Sequence, residues 1–450
     1  MLDWFDHLSL DAQNDLWVIA VGAMTNVACA LVGCYLVLRR MSLLGDAISH
    51  AVLPGLVVAF VLAGSLNVFY MFLGALAVGL LTALLTQALH RAGGVPEDAS
   101  MGVVFTSLFA LGVILIRRFA HQVDLDPDCV LNGLLEFVAF NLVEIGPYEL
   151  PRAMLSIGPV LALNVLFILV FWKELLVGAF DPALATSMGF RAGLMHYLLM
   201  ALVALTTVAS FEQVGSILVV AMLIVPGATA HLLTDRLSRM LWIAAGIGAG
   251  TAVLGHYAAL WLNTNTAGTM AMIAGLAYLA AVVASPQYGV LSTLARNLRT
   301  SIRVLREDVL AMLYRLEELA TGRALGWHEM AQAVGGGLTA WLAMRSLVRR
   351  GEITRQRAVV RLTESGRRQA RLLVRSHRLW ESYLVERLGL PLDHVHEPAT
   401  RMEHYIGPDL QEKLAGAVTP SPVDPHGRRI PECDPDTLAK PAPGNENRDQ

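Results

Sequence analysis

Through the first 290 residues apolar positions run together in long blocks, and beyond them the pattern changes to short alternations of apolar and charged residues. A helix needs about 20 apolar residues to cross about 30 Å of hydrocarbon. Blocks of that kind fall near 16–38, 43–63, 66–88, 100–118, 151–171, 193–210, 213–233, 241–261 and 265–284, which predicts about nine transmembrane helices. Residues 130–147, beginning with the run LNGLLEFVAF, read instead as a re-entrant or interfacial helix. Glycines in blocks such as VGSILVVAMLIVPG predict closely packed helices, since small residues let backbones approach.

After residue 290 the periodicities shorten. ARNLRTSIRVLREDVLAMLYRLEELA reads as a linker, 291–302, entering a charged amphipathic helix. GWHEMAQAV and LTAWLAMRSLVRRG are two short helical patterns separated by glycines, and EITRQRAVVRLT alternates like a small hairpin. Helix, helix, helix, wing is the order of a winged helix-turn-helix, here over 303–364. SGRRQARLLVRSHRLWESYLVERLG, 365–389, then predicts a second long helix opening a helical domain that ends near 430. The last segment, 431–450, is rich in Pro and Asp and reads as disordered. The fold class is therefore an all-α polytopic membrane domain, 1–290, followed by a winged helix-turn-helix and a helical domain.

Charge agrees with this division. Of 34 Lys and Arg, 10 lie in residues 1–290 and 24 after; of 37 Asp and Glu, 17 and 20 divide the same way. The chain is 55% hydrophobic, above the 45–50% usual for soluble proteins. With nine spans and an outer N-terminus, Arg39–Arg40, His90–Arg91, Lys173 with Arg191, and Arg236 with Arg239 share one side, and Arg117–Arg118 falls on the other. The tail is then cytoplasmic. The N-terminal MLDWFDHLSLDAQND carries four Asp and no Lys or Arg, the wrong charge for a cleavable signal peptide, so the first span is expected in the mature protein.

Within the membrane blocks, Asp46 and His50 in LLGDAISHAVLPG are four residues apart and share one helix face. Ionisable groups inside a span are costly and usually face a pathway or each other. The pair reads either as ligands on an ion path or as a polar contact between helices. Glu136 and Glu212 lie near span ends and read as interfacial, and Asp124, Asp126 and Asp128 read either as an acidic outer mouth that concentrates cations or as a solvated loop. Cys29, Cys34, Cys129 and Cys433 form no CxxC pair.

In the tail, DHVHEPATRMEH gathers histidines and carboxylates at the spacing of a divalent-metal site, and His377 and Glu381 are one helical turn apart. From 301 to 380 there are 15 basic and 7 acidic residues, a balance that suits nucleic acid or anionic lipid. The segment LTAWLAMRSL would offer a groove Thr339, Trp341, Met344 and Arg345, while Arg349, Arg350, Arg355 and Arg357 are candidates for phosphate contacts. No GxxxxGK[ST] occurs anywhere, so no nucleotide is expected on this chain.

Three segments, GDAISHAVLPG, FDPALATSMGF and VGSILVVAMLIVPGATAHLLTDRL, resemble the membrane permeases of metal-ion ABC importers over roughly residues 14–285. That resemblance implies a transporter subunit rather than an enzyme, carrying manganese, zinc or iron. It implies Asp46 and His50 on the translocation path and Asp181, Pro182, Ala185 and Gly189 in a helix that docks on the ATPase. The partners implied are a separate ATP-binding subunit, an extracytoplasmic metal-binding protein and a second permease subunit.

The tail, over about 303–430, resembles the manganese- and iron-dependent repressors through REDVLAMLYRLEE, RLTESGRRQARLLVRSHRLWESYL, HVHEPATRMEH and SPVDPHGRRIP. By that likeness His377, Glu381 and His396 form an ancillary site for divalent Mn, Fe or Zn, and Asp308, Glu403 and His404 belong to the main regulatory site. Thr400 stands where the family has Cys or Glu, and Ala311 where manganese sensors have a carboxylate, so the main site is expected to be weak, altered or lost. His394 and Glu397 read as solvated. The functional expectation is a metal-import permease with a fused metal-sensing domain that modulates transport. The alternatives are a fused repressor that still binds DNA and a tail that only stabilises assembly.

Overall fold

The computed structural model describes residues 9–64, 68–119, 135–145, 148–319, 325–356 and 359–432. The acidic loop Asp124, Asp126 and Asp128, together with Cys129, Arg357, Cys433 and the segment after 432, lies outside the described residues, as does the side chain of Glu212. The chain divides into two compact units, Met1–Ser292 and Thr293–Gln450.

The first unit is a bundle of apolar helices. Among the described residues eight helical stretches are long and apolar enough to cross a membrane: Ala12–Leu38, Leu43–Ala63, Phe69–Gly93, Asp98–Phe119, Arg152–Val170, Ala192–Phe211, Leu237–Leu262 and Thr266–Ala284. The ninth expected span is the shorter apolar segment Leu218–Leu233. Its helix starts at Ser216 because Gly215, at φ +79°, breaks it from Ala192–Val214.

Close packing follows from glycine where expected. A Cβ at Gly33 would stand 1.7 Å from the carbonyl oxygen of Leu223, so the first helix and the 216–233 helix touch backbone to backbone. Buried amides tie the same bundle: Asn26 Nδ2 donates to the Gly248 carbonyl at 3.2 Å, and Asn164 Nδ2 to the Ala28 carbonyl at 3.2 Å.

The stretch expected as a re-entrant or interfacial helix is different. Leu135–Phe140 is a short 3-10 turn, and Leu142–Ile145 pairs antiparallel with Tyr148–Pro151 in the register Leu142↔Pro151, Ile145↔Tyr148. β-branched Val143 and Ile145 suit the pleat. Glu136 has a defined role there: its Oε1 accepts from the Thr266 amide at 2.7 Å, at the start of the last membrane helix.

The second unit is largely helical. Residues 291–302, expected as a linker, are part of one helix, Val290–Glu318. Trp327–Ala333, Gly337–Arg349 and an antiparallel hairpin, Ile353–Gln356 with Val359–Leu362, follow. Val309, Leu310, Met330, Met344, Leu347, Ile353 and Val360 form their common core. Met344, expected on a presented helix face, is fully buried because it lies with Ala340 and Leu347 on the inward stripe of its helix. Helices Glu364–Leu388, His396–Met402 and Pro408–Ala417 complete the unit around Leu379, Ile406, Leu414 and Val418.

Candidate metal centres

In the membrane unit, Asp46 and His50 do meet: Asp46 Oδ1 is 3.5 Å from His50 Nε2 across one helical turn. The helix is interrupted at Val52, between Leu43–Ala51 and Leu53–Ala63. Pro54 explains the break, since it has no N–H to give to the His50 carbonyl four residues back. Both side chains are about two-fifths exposed on the isolated chain, 40% and 42%, with Phe105 and Phe109 flanking the imidazole at 6.1 and 6.3 Å between ring centroids.

The 181–189 segment is a self-contained local structure. Asp181 Oδ1 accepts from the Ala183 and Leu184 amides at 2.9 Å each, and Pro182 opens the helix Pro182–Ser187. Gly189, at φ +87°, closes it, with the Phe190 amide returning to the Ala185 carbonyl at 3.0 Å. Ala185 is buried and Leu184 and Met188 are exposed.

In the tail the expected ligands gather in two groups, each with donor atoms within 4.8 Å of one another. In the first, His377 Nε2 is 3.0 Å from Glu381 Oε1, His396 Nδ1 is 2.9 Å from the same oxygen, and the two imidazoles approach to 3.2 Å. Glu381 is 2% exposed and His396 60%, so a buried carboxylate faces an opening to solvent. Burial opposes the Glu381 carboxylate, but hydrogen bonds from His377 and His396 hold its pKa down at about 2. Three nitrogen and oxygen donors, one already anionic and two able to give up a proton, fit a borderline-hard divalent ion.

In the second group, His404 Nε2 is 3.3 Å from Asp308 Oδ1, and Nδ1 is 2.8 Å from Glu307 Oε2. Burial opposes the imidazolium, yet these two carboxylates raise its pKa to about 9. Glu403, 2% exposed, accepts from Arg315 NH2 at 3.3 Å. Its Oε2 also lies 2.6 Å from His377 Nδ1. Thr400 Oγ1 donates to the His396 carbonyl at 3.0 Å, inside its own helix. The donor set fits an ion less well here, because a guanidinium already stands on the one buried carboxylate and neither Ala311 nor Thr400 adds a charged ligand.

His394 pairs with Asp393 at 2.9 Å and Glu397 with Arg401 at 2.5 Å, all at the surface. Three residues passed over in the sequence belong to the clusters: Glu307, Arg315 and His426, whose Nε2 is 3.7 Å from Glu381 Oε1. The DPHG turn was the available signal for His426, because Asp424 Oδ1 accepts from the His426 and Arg428 amides at 3.0 and 2.8 Å and fixes that loop. Glu307 and Arg315 carry no motif of their own. On the helix before the hairpin, Arg349 and Arg350 are exposed, as is Arg355, whose guanidinium lies 5.5 Å over Trp327.

Residues 12–285 match the family model described as ABC 3 transport family, and residues 363–432 that of the iron dependent repressor metal binding and dimerisation domain. The chain is 49% identical over 285 residues to the manganese transport system membrane protein MntD of Bacillus subtilis, covering 63% of this chain and 96% of that one. It is 36% identical over 351 residues to the zinc transport system membrane protein TroD of Treponema pallidum, covering 78% and 96%. The solved structure of PsaBC from Streptococcus pneumoniae in complex with Fab matches at 33% identity and a TM-score of 0.51, over 61% of this chain and 92% of that one.

The apolar helices make this a polytopic inner-membrane protein with a cytoplasmic C-terminal helical domain, a transporter subunit without catalysis of its own. Its family implies an ATP-binding subunit and an extracytoplasmic metal-binding protein as partners. The chain belongs to the ABC 3 transport family, as the membrane permease of a metal-ion importer with a metal-binding domain like that of the iron- and manganese-dependent repressors fused behind it.

Proposed function

We propose that the membrane unit carries manganese, with Asp46 and His50 lining the path, and that divalent metal bound at His377, Glu381 and His396 adjusts that transport from the cytoplasmic side. The observation that supports the path is the part-exposed Asp46–His50 pair within an apolar span. Ionisable groups in that position are unfavourable against lipid and favourable against water or a second protein surface. A second permease copy supplies such a surface. Carboxylate plus imidazole strips part of an ion's water without enclosing it, which lets the ion leave again. Manganese is favoured by the oxygen and nitrogen donors of both regions and by the name of the 49% identical relative; zinc and iron are the competing cargoes.

The Pro182–Ser187 helix is read as the ATPase contact. Beside it a cavity of about 460 Å³ is lined by Arg39, Arg40 and Arg91 as well as Pro182 and Thr186, a basic wall that suits acidic side chains. Uptake of labelled Mn, Zn and Fe into vesicles with the cognate ATPase tests the path. Asp46→Ala and His50→Ala chains that insert and bind the ATPase should lose uptake, and unchanged uptake refutes the assignment. A chain ending near residue 295 should transport without responding to internal metal; an unaltered response sinks the regulatory role.

A second reading takes residues 303–364 as a winged helix that still binds DNA, supported by the helix, helix, helix, hairpin order. Arg349, Arg350, Arg355 and Arg357 would contact phosphate. Against base reading, the exposed face of the Gly337–Arg349 helix carries Leu338, Trp341 and Val348, with Arg345 stacked 5.0 Å over Trp341. Metal-dependent, sequence-selective DNA retention by the full chain would favour the repressor reading, and binding that only follows salt would not.

A further inference from the structure

Asp308 and Arg315 are seven residues apart on the Val290–Glu318 helix and so lie on one face, two turns from each other. Arg315 NH2 reaches Glu403 Oε2 at 3.3 Å, and Glu403 is almost fully buried. We propose that Arg315 is the permanent cation of the Asp308–Glu403–His404 cluster, taking the place of a second divalent ion and confining the metal response to His377, Glu381 and His396. This rests on reading the tail as a metal-binding domain.

Five features of the cluster carry the assignment. A buried carboxylate requires a counter-charge, and a guanidinium supplies one without a lone pair to ligate a metal and without losing its proton. Ala311, between Asp308 and Arg315, offers only a methyl group. Thr400 directs its hydroxyl hydrogen to the His396 carbonyl. Both nitrogens of His404 face carboxylate oxygens, those of Glu307 and Asp308. A cavity of about 490 Å³ lined by Asp308, Ala311, Arg315, Thr400 and Glu403 marks the room left by two short side chains, with the guanidinium on its wall.

Arg315 is linked to the first cluster as well. Glu403, held by Arg315, stands against His377 Nδ1, while His377 Nε2 faces Glu381 and His396. A carboxylate behind a ligating imidazole fixes the ring and raises its basicity. Glu403 is thus a positioning residue for the first site, and the arginine that blocks the second site keeps it in that position.

Manganese per chain, counted by mass spectrometry of the metal and of the intact protein after dialysis, tests the assignment. The full chain is used, with Asp46→Asn and His50→Gln replaced so that only the tail contributes. One ion per chain is expected, unchanged by Asp308→Asn and lost with His396→Ala. Arg315→Met combined with Thr400→Glu should bind two, the second removed by Asp308→Asn. An ion that Asp308→Asn removes from a chain retaining Arg315 overturns the proposal, as does a folded Arg315→Met, Thr400→Glu chain that gains none. If that variant does not fold, the Asp308→Asn comparison decides alone. A starting chain that binds no manganese sinks the sensing role instead, and the gain in the double variant still decides the part played by Arg315.

Discussion

His377 Nδ1 stands 2.6 Å from Glu403 Oε2, so one buried histidine joins the two clusters of the cytoplasmic domain. The other nitrogen, Nε2, faces Glu381 at 3.0 Å and His396 at 3.2 Å. On the proposed reading, Glu403 acts on metal binding without being a ligand of the first site.

Removing that carboxylate should weaken metal binding there while leaving its ligands intact. Glu403→Ala is expected to raise the manganese dissociation constant of the tail by about 10–100-fold, the usual cost of losing the partner of a ligating histidine. Competition against a fluorescent chelator measures it. Affinity equal to that of the parent chain would show that the contact does not orient the ring.

Without metal, two of the shifted groups, His404 and Glu381, set opposite limits on tail stability. His404 has its pKa raised from 6.5 to about 9 on folding, so its contribution is complete below 6.5 and is lost as pH rises through about 9. Glu381 is lowered from 4.5 to about 2, so its contribution is present above 4.5 and is lost as pH falls through about 2. Thermal stability of the tail in chelator should be highest between pH 4.5 and 6.5 and decline from neutral toward pH 9. His404→Asn should flatten the alkaline decline; an unchanged slope would assign it to other groups.

Arg378 is a buried guanidinium held by Glu318 at 2.5 and 3.0 Å, by Asp424 at 3.5 Å and by the Arg429 carbonyl. Arg378→Met leaves those acids without their counter-charge and should destabilise the tail by about 3–5 kcal/mol. Limited proteolysis should then cut first in the loop around Asp424 and His426. A parent-like digestion pattern would contradict the clamp.

In the membrane unit, Gly33→Ala puts a methyl group where the Leu223 carbonyl lies 1.7 Å away, whereas a Cβ at Gly246 meets nothing within 4 Å. Gly33→Ala should cut recovery of monodisperse protein several-fold on size-exclusion chromatography, and Gly246→Ala should not. Equal recovery from the two would mean that the first helix and the 216–233 helix can separate at little cost.

Much of the architecture was legible because it depends on local composition. Long apolar blocks fix where helices can cross a bilayer, and every backbone group in lipid must be paired within the segment. The expected span at 213–233 moved to a start at Ser216 because a single glycine with positive φ, not hydrophobicity, sets its boundary. Within the stretch expected as a helix at 130–147, the described residues 142–145 form a strand for a related reason: a short apolar run does not tell helix from strand, and the hairpin depends on pairing that a linear pattern does not display. Arg315 was passed over because, in sequence, it is one more charge on an amphipathic helix.

Read along the chain, long apolar blocks fixed the membrane and cytoplasmic parts, and four-residue spacing fixed the Asp46–His50 and His377–Glu381 pairs, because each such pair lies within one helical turn. Tertiary structure decided that Arg315 neutralises Glu403 across 88 residues and that Met344 faces the core, and it set His396, expected beside His377 only through family resemblance, 3.2 Å from it across 19 residues. Contacts over such separations are selected by the packing of whole helices, which brings together burial, charge and space that no local spacing encodes.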